Sequence, residues 1–374
     1  MTSNIPPWQQ DAGVMDILMS DPSKRDLRMI TKLDYYNRSY KGLSYSRVEM
    51  ASACPRKFEI AAKFRLAPRV ESATFAYGHA VGAGVQYCLA GKDFNHVMLQ
   101  VLFNYDYPFE KQGSDSEQRS KKSYWWALDT IERFYKMYTS GQMPYLAGWE
   151  VAKFTNSDGV KVPAVELTFV VDMGEGWTYE GHIDLVLYNP ISNRYLVLEL
   201  KTTGGKFVDE ATYANSDQAV GYGVVIDTIA GNIKASASFD VLYLVNKTSD
   251  GSFQPMLFTK TPKDKAEWLM KLLTMQQQVA MYEGNQFYPK YGQSCMDYYR
   301  RCEYFNHCKS DNEQLQHITN NVANLDTVTY TQLTNPTFMY TLDELVARQK
   351  VLEDYAYGVD TEVDMLLNVT TVPA

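Results

Sequence analysis

The chain has no excess of positive charge: 36 Lys and Arg stand against 44 Asp and Glu, for a net charge of −8 over 374 residues. That excludes a protein that coats nucleic acid through a broad basic surface. It leaves open one that handles nucleic acid at a single site, because carboxylates gathered around divalent cations add negative charge that the ions offset locally. Long apolar runs are also missing. No segment approaches the ~20 apolar residues of a membrane helix. Met1 to Pro7 is polar, with no cationic stretch ahead of an apolar run, so no signal peptide is expected and the cytoplasm is the default compartment. There is no G-x-x-x-x-G-K-[ST] phosphate loop and no internal repeat. Cysteine is scarce and odd in number, at positions 54, 88, 295, 302 and 308, which speaks against a disulfide framework.

What is present reads as an ordinary globular chain, 45% hydrophobic and 21% charged, long enough for one elaborated domain or about two to three. Residues 1–42 are polar and irregular, an N-terminal extension. A helix through Arg47 to Met50 runs into Cys54-Pro55-Arg56-Lys57-Phe58; further helices are expected over Tyr77–Ala90 and Ser116–Tyr138. Four runs rich in β-branched and aromatic residues follow, at Trp149–Phe154, Val165–Asp172, Trp177–Leu187 and Tyr195–Lys201. Turn groups such as Asn189-Pro190 separate them, as in an antiparallel meander. A helix over Asp209–Ile229, a strand over Phe239–Val245 and a helix over Pro262–Tyr282 complete a mixed α/β core. Beyond Cys308 the chain turns Asn/Gln-rich. Thr341-Leu342-Asp343-Glu344 is then a capping box that opens a helix reaching toward Leu367. Basic residues cluster at Arg56, Lys57, Lys63, Arg65 and Arg69, and at Arg300, Arg301 and Lys309, either as solvated helix faces or as contacts for an anionic partner.

Two neighbouring strands carry the chemistry. Glu180-Gly181-His182-Ile183-Asp184-Leu185 is followed, after fourteen residues counted from Asp184, by Glu199-Leu200-Lys201-Thr202. Strand alternation puts Glu199 and Lys201 on one face, and Asp184 and His182 on one face of their own strand. Pairing the strands brings an acid from each, with a lysine, into one concavity. Hard oxygen ligands of this kind hold Mg²⁺ or Mn²⁺, which activate water and polarise a phosphoryl group, while a lysine neutralises developing charge. The alternative is a structural ion pair between Lys201 and one acid.

Gly181-x-x-Asp184 with Glu199-x-Lys201-Thr202 resembles the G-x-x-D…(D/E)-x-K-T pattern of PD-(D/E)XK nucleases, in the branch of RecB-type domains and CRISPR-associated adaptation exonucleases. Val165-Glu166-x-x-Phe169 is similar to that branch's V-E-x-x-F strand, Gln218-x-x-x-Tyr222 to its Q-x-x-x-Y helix, and Leu43-Ser44-Tyr45-Ser46 with Cys54-Pro55-Arg56-Lys57-Phe58 to its entry helix. The resemblance covers roughly residues 43 to 308. It implies a restriction-endonuclease-like α/β fold, a mixed central sheet flanked by helices, with a C-terminal helical extension. It also implies DNA as substrate, Asp184, Glu199, Lys201, Gln218 and Tyr222 as site residues, and metal ligands Asp184, Glu199 and the Leu200 carbonyl. One stretch departs. The usual G-x-x-x-H-x-x-x-E helix reads Gly78-His79-Ala80-Val81-Gly82-Ala83-Gly84-Val85-Gln86, with Gly82 and Gln86 at the His and Glu positions. His79 or His182 takes over as ligand, or the carboxylates hold a single metal alone.

Cys88 sits in an apolar run and reads as a core thiol. Cys54 lies some 240 residues before Cys295, Cys302 and Cys308, and four thiolates can hold zinc or a 4Fe-4S cluster, or stay unligated. In the resembling branch one cysteine of the entry helix and three beyond the core hold a structural cluster. Here the spacing is C-x₆-C-x₅-C, with the first interval four residues longer than the branch's usual C-x₂-C-x₅-C. His307 is a spare ligand. The expected organisation is an extension (1–42), a nuclease domain closed by the cysteines (43–310) and a helical tail (311–374). The expected activity is hydrolysis of DNA ends or single strands, an exonuclease of recombination, repair or DNA processing. Unwinding would fall to a partner helicase or recombination protein. The competing reading is a catalytically weakened nucleic-acid-binding or scaffolding module on the same fold.

Overall fold

The computed structural model describes residues 41–64, 73–107, 121–156, 159–205, 208–230, 239–297, 300–315 and 337–356. The N-terminal extension up to residue 40, Arg65 and Arg69 of the first basic cluster, and the Asn/Gln-rich stretch beyond Leu315 lie outside them, as does the tail helix past Ala356.

The described chain opens on β1 (Gly42–Leu43) and α1 (Tyr45–Ala53), then α2 (Pro55–Phe58) and a π-helical turn over Glu59–Lys63. Cys54 breaks the first helix by its extended backbone. Pro55 restarts the chain at the helical position where a missing N–H costs nothing. Next come α3 (Ala73–Leu89), α4 (Phe94–Phe103) and α5 (Tyr124–Thr139). The side chains of Asp93 and Ser123 cap α4 and α5. Two of the strands are minor, β2 (Glu150–Val151) and β3 (Lys153–Thr155), and β3 pairs with β4 (Lys161–Pro163). The meander itself is β5 (Val165–Asp172), β6 (Thr178–Asn189) and β7 (Arg194–Thr203). The helix expected after it is split into α6 (Ala211–Ala214) and α7 (Asp217–Ala230). A hairpin, β8 (Phe239–Lys247) and β9 (Ser252–Lys260), leads into α8 (Pro262–Gly284), opened by a Thr261–Asp264 capping box. The last elements are the small pair β10 (Met296–Asp297) and β11 (Arg300–Arg301), then β12 (Phe338–Thr341) and α9 (Leu342–Ala356). The capping box at Thr341 forms: Glu344 accepts from the Thr341 N–H at 2.6 Å and donates its own N–H back at 3.3 Å.

One mixed sheet runs β12-β5-β6-β7-β8-β9, with β1 and β2 paired to β6. β5, β6 and β7 are antiparallel neighbours; β7 and β8 are parallel, joined by the crossover through α7. Alternate residues of the central strands enter different cores. Val197, Val241, Tyr243 and Val245 face a core closed by α1, α7, α8 and α9, and Leu196, Leu198, Leu242 and Leu244 face one closed by α3, α4 and α5. Strands buried on both faces read as continuous apolar runs, as β7 and β8 do. α9 is tied to the first core through the fully buried pair Lys265–Asp227 (2.7 Å), whose carboxylate also accepts from Gln349 at 2.8 Å.

At one point the regular pleat breaks. Val165 and Leu185 pack with the second core, whereas Leu167 and Ile183 belong to the first. Residues two apart on a regular strand share a face, so both strands change sides in between. Glu166 makes the change on β5 with a left-handed φ of 50°, costly for a residue with a side chain. The register pairs Val165 with Leu185 and Leu167 with Ile183, leaving Glu166 opposite Asp184.

Candidate active site

The β6–β7 ladder runs from Asn189↔Arg194 to Leu185↔Leu198. Asp184 and Glu199 are the next residues, so the strands part at the two acids. β7 keeps its other partner to the end, through Thr203↔Lys247. The Leu200 N–H is turned to the Asp184 carboxylate across this gap. A strand residue's N–H and C=O project from the same edge, so the Leu200 carbonyl faces the gap too.

On the α7 side the contacts form a line. Lys201 Nζ donates to Glu199 Oε1 at 2.7 Å and to Gln218 Oε1 at 2.8 Å, and Gln218 Nε2 donates to the Tyr222 hydroxyl at 3.2 Å. Gln218 and Tyr222 share a face of α7 by their i, i+4 spacing. The helix seats this close because residue 221 is glycine: a Cβ there would stand 2.5 Å from the Trp268 ring and 2.6 Å from the Tyr179 hydroxyl.

On the α3 side, Gln86 Nε2 donates to Glu166 Oε1 at 2.6 Å and to the Asp184 carbonyl at 3.3 Å. Gly82, one turn earlier, lies against Leu200. His79 is exposed, and His182 is half-buried opposite Thr168. The change of sides between Ile183 and Leu185 means that regular alternation does not carry from His182 to Asp184. Glu166 is the acid that sequence reasoning missed. Its signal was present, as the Glu of the V-E-x-x-F strand, but its position opposite Asp184 depends on a backbone conformation that composition does not reveal.

The electrostatics follow from crowding. Burial, then the charges of Glu199 and Glu166, hold the Asp184 carboxyl well above its ordinary range. Glu199 is 2% exposed, and burial raises its carboxyl despite the ammonium beside it. Glu166 has solvent access, but the protein packed around it displaces bulk water and, with the Glu199 charge, raises its carboxyl as well. Burial works against the Lys201 ammonium, but the Glu199 and Asp184 charges outweigh it, so its pKa stands above the usual lysine value. Three acids facing one ammonium fit a divalent cation. So does Glu199 Oε2, which is buried without a hydrogen-bond partner. Among the described residues, no three His, Cys, Asp or Glu side chains are already closed into a chelating group.

The sequence model of the PD-(D/E)XK nuclease superfamily matches residues 42–309. The chain belongs to that superfamily. A PD-(D/E)XK nuclease is a phosphodiester hydrolase acting on DNA, and its members typically use Mg²⁺ or Mn²⁺. The mixed sheet flanked by helices is the superfamily's fold. Among solved structures, one named "Putative exonuclease" from Eubacterium rectale is similar, with a TM-score of 0.44 and 13% identity over 82% of this chain and 98% of that one. No curated protein matches the chain.

The cysteines divide as follows. Cys88 is buried in the second core, and burial pushes its thiol up to about 12. Cys54 is buried at the α1–α2 break. The Cys308 thiol is raised by burial and then by the neighbouring Cys54 and Cys295. The Cys302 N–H donates to the Cys295 carbonyl at 3.0 Å, and Ser294 reaches the Ala53 carbonyl. Arg56, paired with Glu59, reaches the Ser310 carbonyl.

Proposed function

We propose that this chain is a metal-dependent exonuclease acting on DNA ends or single strands, with Asp184, Glu199 and Lys201 as catalytic residues and Gln218 and Tyr222 as their support. The observation that carries the reading is the gap between β6 and β7. There Glu199 keeps an unpartnered carboxylate oxygen, two residues from a lysine held by two hydrogen bonds. Asp184, Glu199 and the Leu200 carbonyl would hold Mg²⁺ or Mn²⁺, with Glu166 as a further carboxylate. Such an ion, when bound, polarises the phosphoryl group, acidifies a water and stabilises the leaving oxygen. Lys201 stays protonated, because the charges around it raise its pKa. It donates toward the phosphate oxygen that gains charge as the bond forms. Gln218 holds that ammonium in the gap, and Tyr222, whose hydroxyl burial keeps neutral, holds Gln218. His79 or His182 would add a further ligand, or the carboxylates would hold a single metal alone. The alanine variant of a true ligand needs more Mn²⁺ for half-maximal rate, whereas loss of a phosphate contact raises KM for DNA.

Labelled single-stranded and duplex DNA, incubated with Mg²⁺, Mn²⁺ or Ca²⁺, tests the reading. Cleavage with the first two and not the third supports it, and Glu199→Ala cutting at the wild-type rate overturns it. Gly82 and Gln86 in place of the superfamily's His and Glu favour the second reading, a DNA-binding scaffold. That reading stands if DNA is bound and never cut. A partner helicase or recombinase would supply any unwinding, which suits recombination, repair or DNA processing. Among the described residues no helix is long and apolar enough to cross a membrane, and we infer a cytoplasmic enzyme. Residues 43–310 form its nuclease domain and 311–374 a tail that docks through β12 and α9.

Cys54, Cys295, Cys302 and Cys308 would hold a structural 4Fe-4S cluster joining the two ends of the nuclease domain. Their fit rests on Cys54, Cys295 and Cys308 being electrostatic neighbours and on the backbone bond between Cys302 and Cys295. Anaerobically purified protein should be brown, with about four irons per chain. Cys54→Ser should lose the colour and Cys88→Ser keep it. Stoichiometric zinc without iron would replace the cluster by a zinc staple.

A further inference from the structure

Away from the catalytic gap, exposed rings and cations gather where α3 and α5 begin. Phe75 is 64% exposed and Trp125 58%. Trp126, half-buried, has Lys121 Nζ 3.5 Å from its ring centroid and the Arg133 guanidinium at 5.1 Å. Lys122 Nζ donates to Thr74 Oγ1 at 2.8 Å, which joins the two helix starts. Single exposed aromatics are ordinary on a protein surface, and Arg133 also pairs with Asp129 at 2.7 Å. The cluster differs in being fastened to the strand that bears Lys201. Trp126 Nε1 donates to the Thr248 carbonyl at 2.9 Å, and the Thr248 N–H donates to the Thr203 carbonyl at 2.9 Å. Thr203 is two residues past Lys201, roughly 7 Å along β7. A Cβ at Gly78 would stand 3.4 Å from Thr202 Oγ1, so the first turns of α3, with Phe75 and His79, flank the same strand end.

We propose that this surface is a stacking platform that carries single-stranded DNA to the catalytic gap, an inference that rests on the nuclease reading above. Bases present their faces to aromatic rings only when unpaired, and stacking on Trp and Phe tolerates any sequence. Lys121, Lys122 and Arg133 supply charge for the phosphates between stacked bases. A duplex keeps its bases stacked on one another and gains only the charge term.

The test uses the full chain and a fluorescent oligothymidylate of about twenty nucleotides, single-stranded or annealed to its complement, with anisotropy read in Ca²⁺. Phe75→Ala combined with Trp125→Ala should weaken single-strand binding about tenfold or more and duplex binding less than twofold. Both side chains are largely exposed, so the melting temperature should hold. Ile191→Ala is the control: that side chain is 91% exposed at the β6–β7 turn, away from the strand end, and should leave binding unchanged. With Mg²⁺ or Mn²⁺ in place of Ca²⁺, KM for single-stranded DNA should rise with the loss in affinity. Wild-type single-strand affinity in the double variant overturns the platform, as does an equal loss for duplex. The binding arm reads the platform even if no DNA is cut, so failure of the nuclease reading and failure of the platform give different results.

Discussion

On the α7 side of the catalytic gap, a carboxylate meets an ammonium, the ammonium meets an amide, and the amide meets a hydroxyl, each within 3.2 Å of the next. On the α3 side a neutral amide, Gln86, serves Glu166 and the Asp184 carbonyl. Among the described residues no ammonium is bonded to either acid there, and the strand reaches its place through a left-handed residue. The first wall is charge-balanced and built on regular helix and strand periods. The second gathers acids whose ionisation is opposed by loss of bulk water and by neighbouring carboxylates, Glu199 among them. The fixed positive charge, Lys201, therefore stands on the α7 side, and the acids without an ammonium stand on the α3 side. On the proposed reading a phosphate entering the gap would meet Lys201 on one wall and a metal held by the acids on the other.

The largest effect should come from one acid of each wall. Asp184→Asn and Glu199→Gln keep shape and remove charge, and each should lower turnover by roughly 10²–10³ or more. Because the folded protein opposes ionisation at these positions, neither variant should melt below wild type in EDTA. A variant that cuts DNA normally would remove its residue from the centre. One that is inactive because it is unfolded would show the acid to be structural.

Glu166→Gln addresses the α3 wall alone. It keeps an acceptor for Gln86 but removes a negative charge opposite Asp184. Turnover should fall about tenfold, a loss of about 1.4 kcal/mol of transition-state stabilisation, with a higher Mn²⁺ requirement measured by titrating the initial rate. An unchanged metal requirement would confine the ion to Asp184, Glu199 and the Leu200 carbonyl.

The acids also set a pH dependence. A group whose pKa is raised on folding stabilises the fold when protonated. That stability is full below the unfolded value and lost as pH rises through the folded one. Asp184, Glu166 and Glu199 are all raised from ordinary values of 3.8, 4.5 and 4.5. In EDTA they should therefore make the wild type less stable as pH climbs out of the ordinary carboxylate range toward neutrality. Asp264 and Asp250 are lowered and act in the opposite sense, so the readout is the difference between wild type and Asp184→Asn. That difference in melting temperature should widen with pH in EDTA and shrink in Ca²⁺. A constant difference would mean that the three acids do not share a charge problem.

How much of this was legible in the sequence follows the same division. Glu199, Lys201, Gln218 and Tyr222 obey periods of two and of four, which a sequence displays, and the long meander strands fall close to their expected bounds. Glu166 was hidden because its side of the sheet depends on one φ angle. β9 was missed for another reason: Pro255 interrupts its run, and proline is tolerated there because β9 lies at the edge of the sheet. β12 pairs in parallel with β5, a contact between segments about 170 residues apart that no local pattern encodes. α4 is a short apolar helix that its Asp93 cap, rather than its periodicity, marks.

The smallest effect is expected at Gly82, and it tests whether the α3 wall has room to become like that of its relatives. A Cβ at Gly82 would meet Leu200 Cδ2 at 3.8 Å, an ordinary contact, whereas at neighbouring Gly84 it would collide with Ile131 at 2.6 Å. Gly82→Ala should therefore fold, and should gain up to about 1 kcal/mol from helix propensity. Gly82→His keeps that Cβ contact and adds an imidazole beside Leu200, whose carbonyl faces the gap; a melting temperature equal to that of the alanine variant checks that it folds. If the cation is drawn to this wall, the Mn²⁺ concentration for half-maximal cleavage should fall a few-fold in the histidine variant and stay unchanged in the alanine one. Equal metal requirements in both would mean that helix α3 shapes the gap without reaching the ion. The carboxylates would then hold the metal from the strands alone.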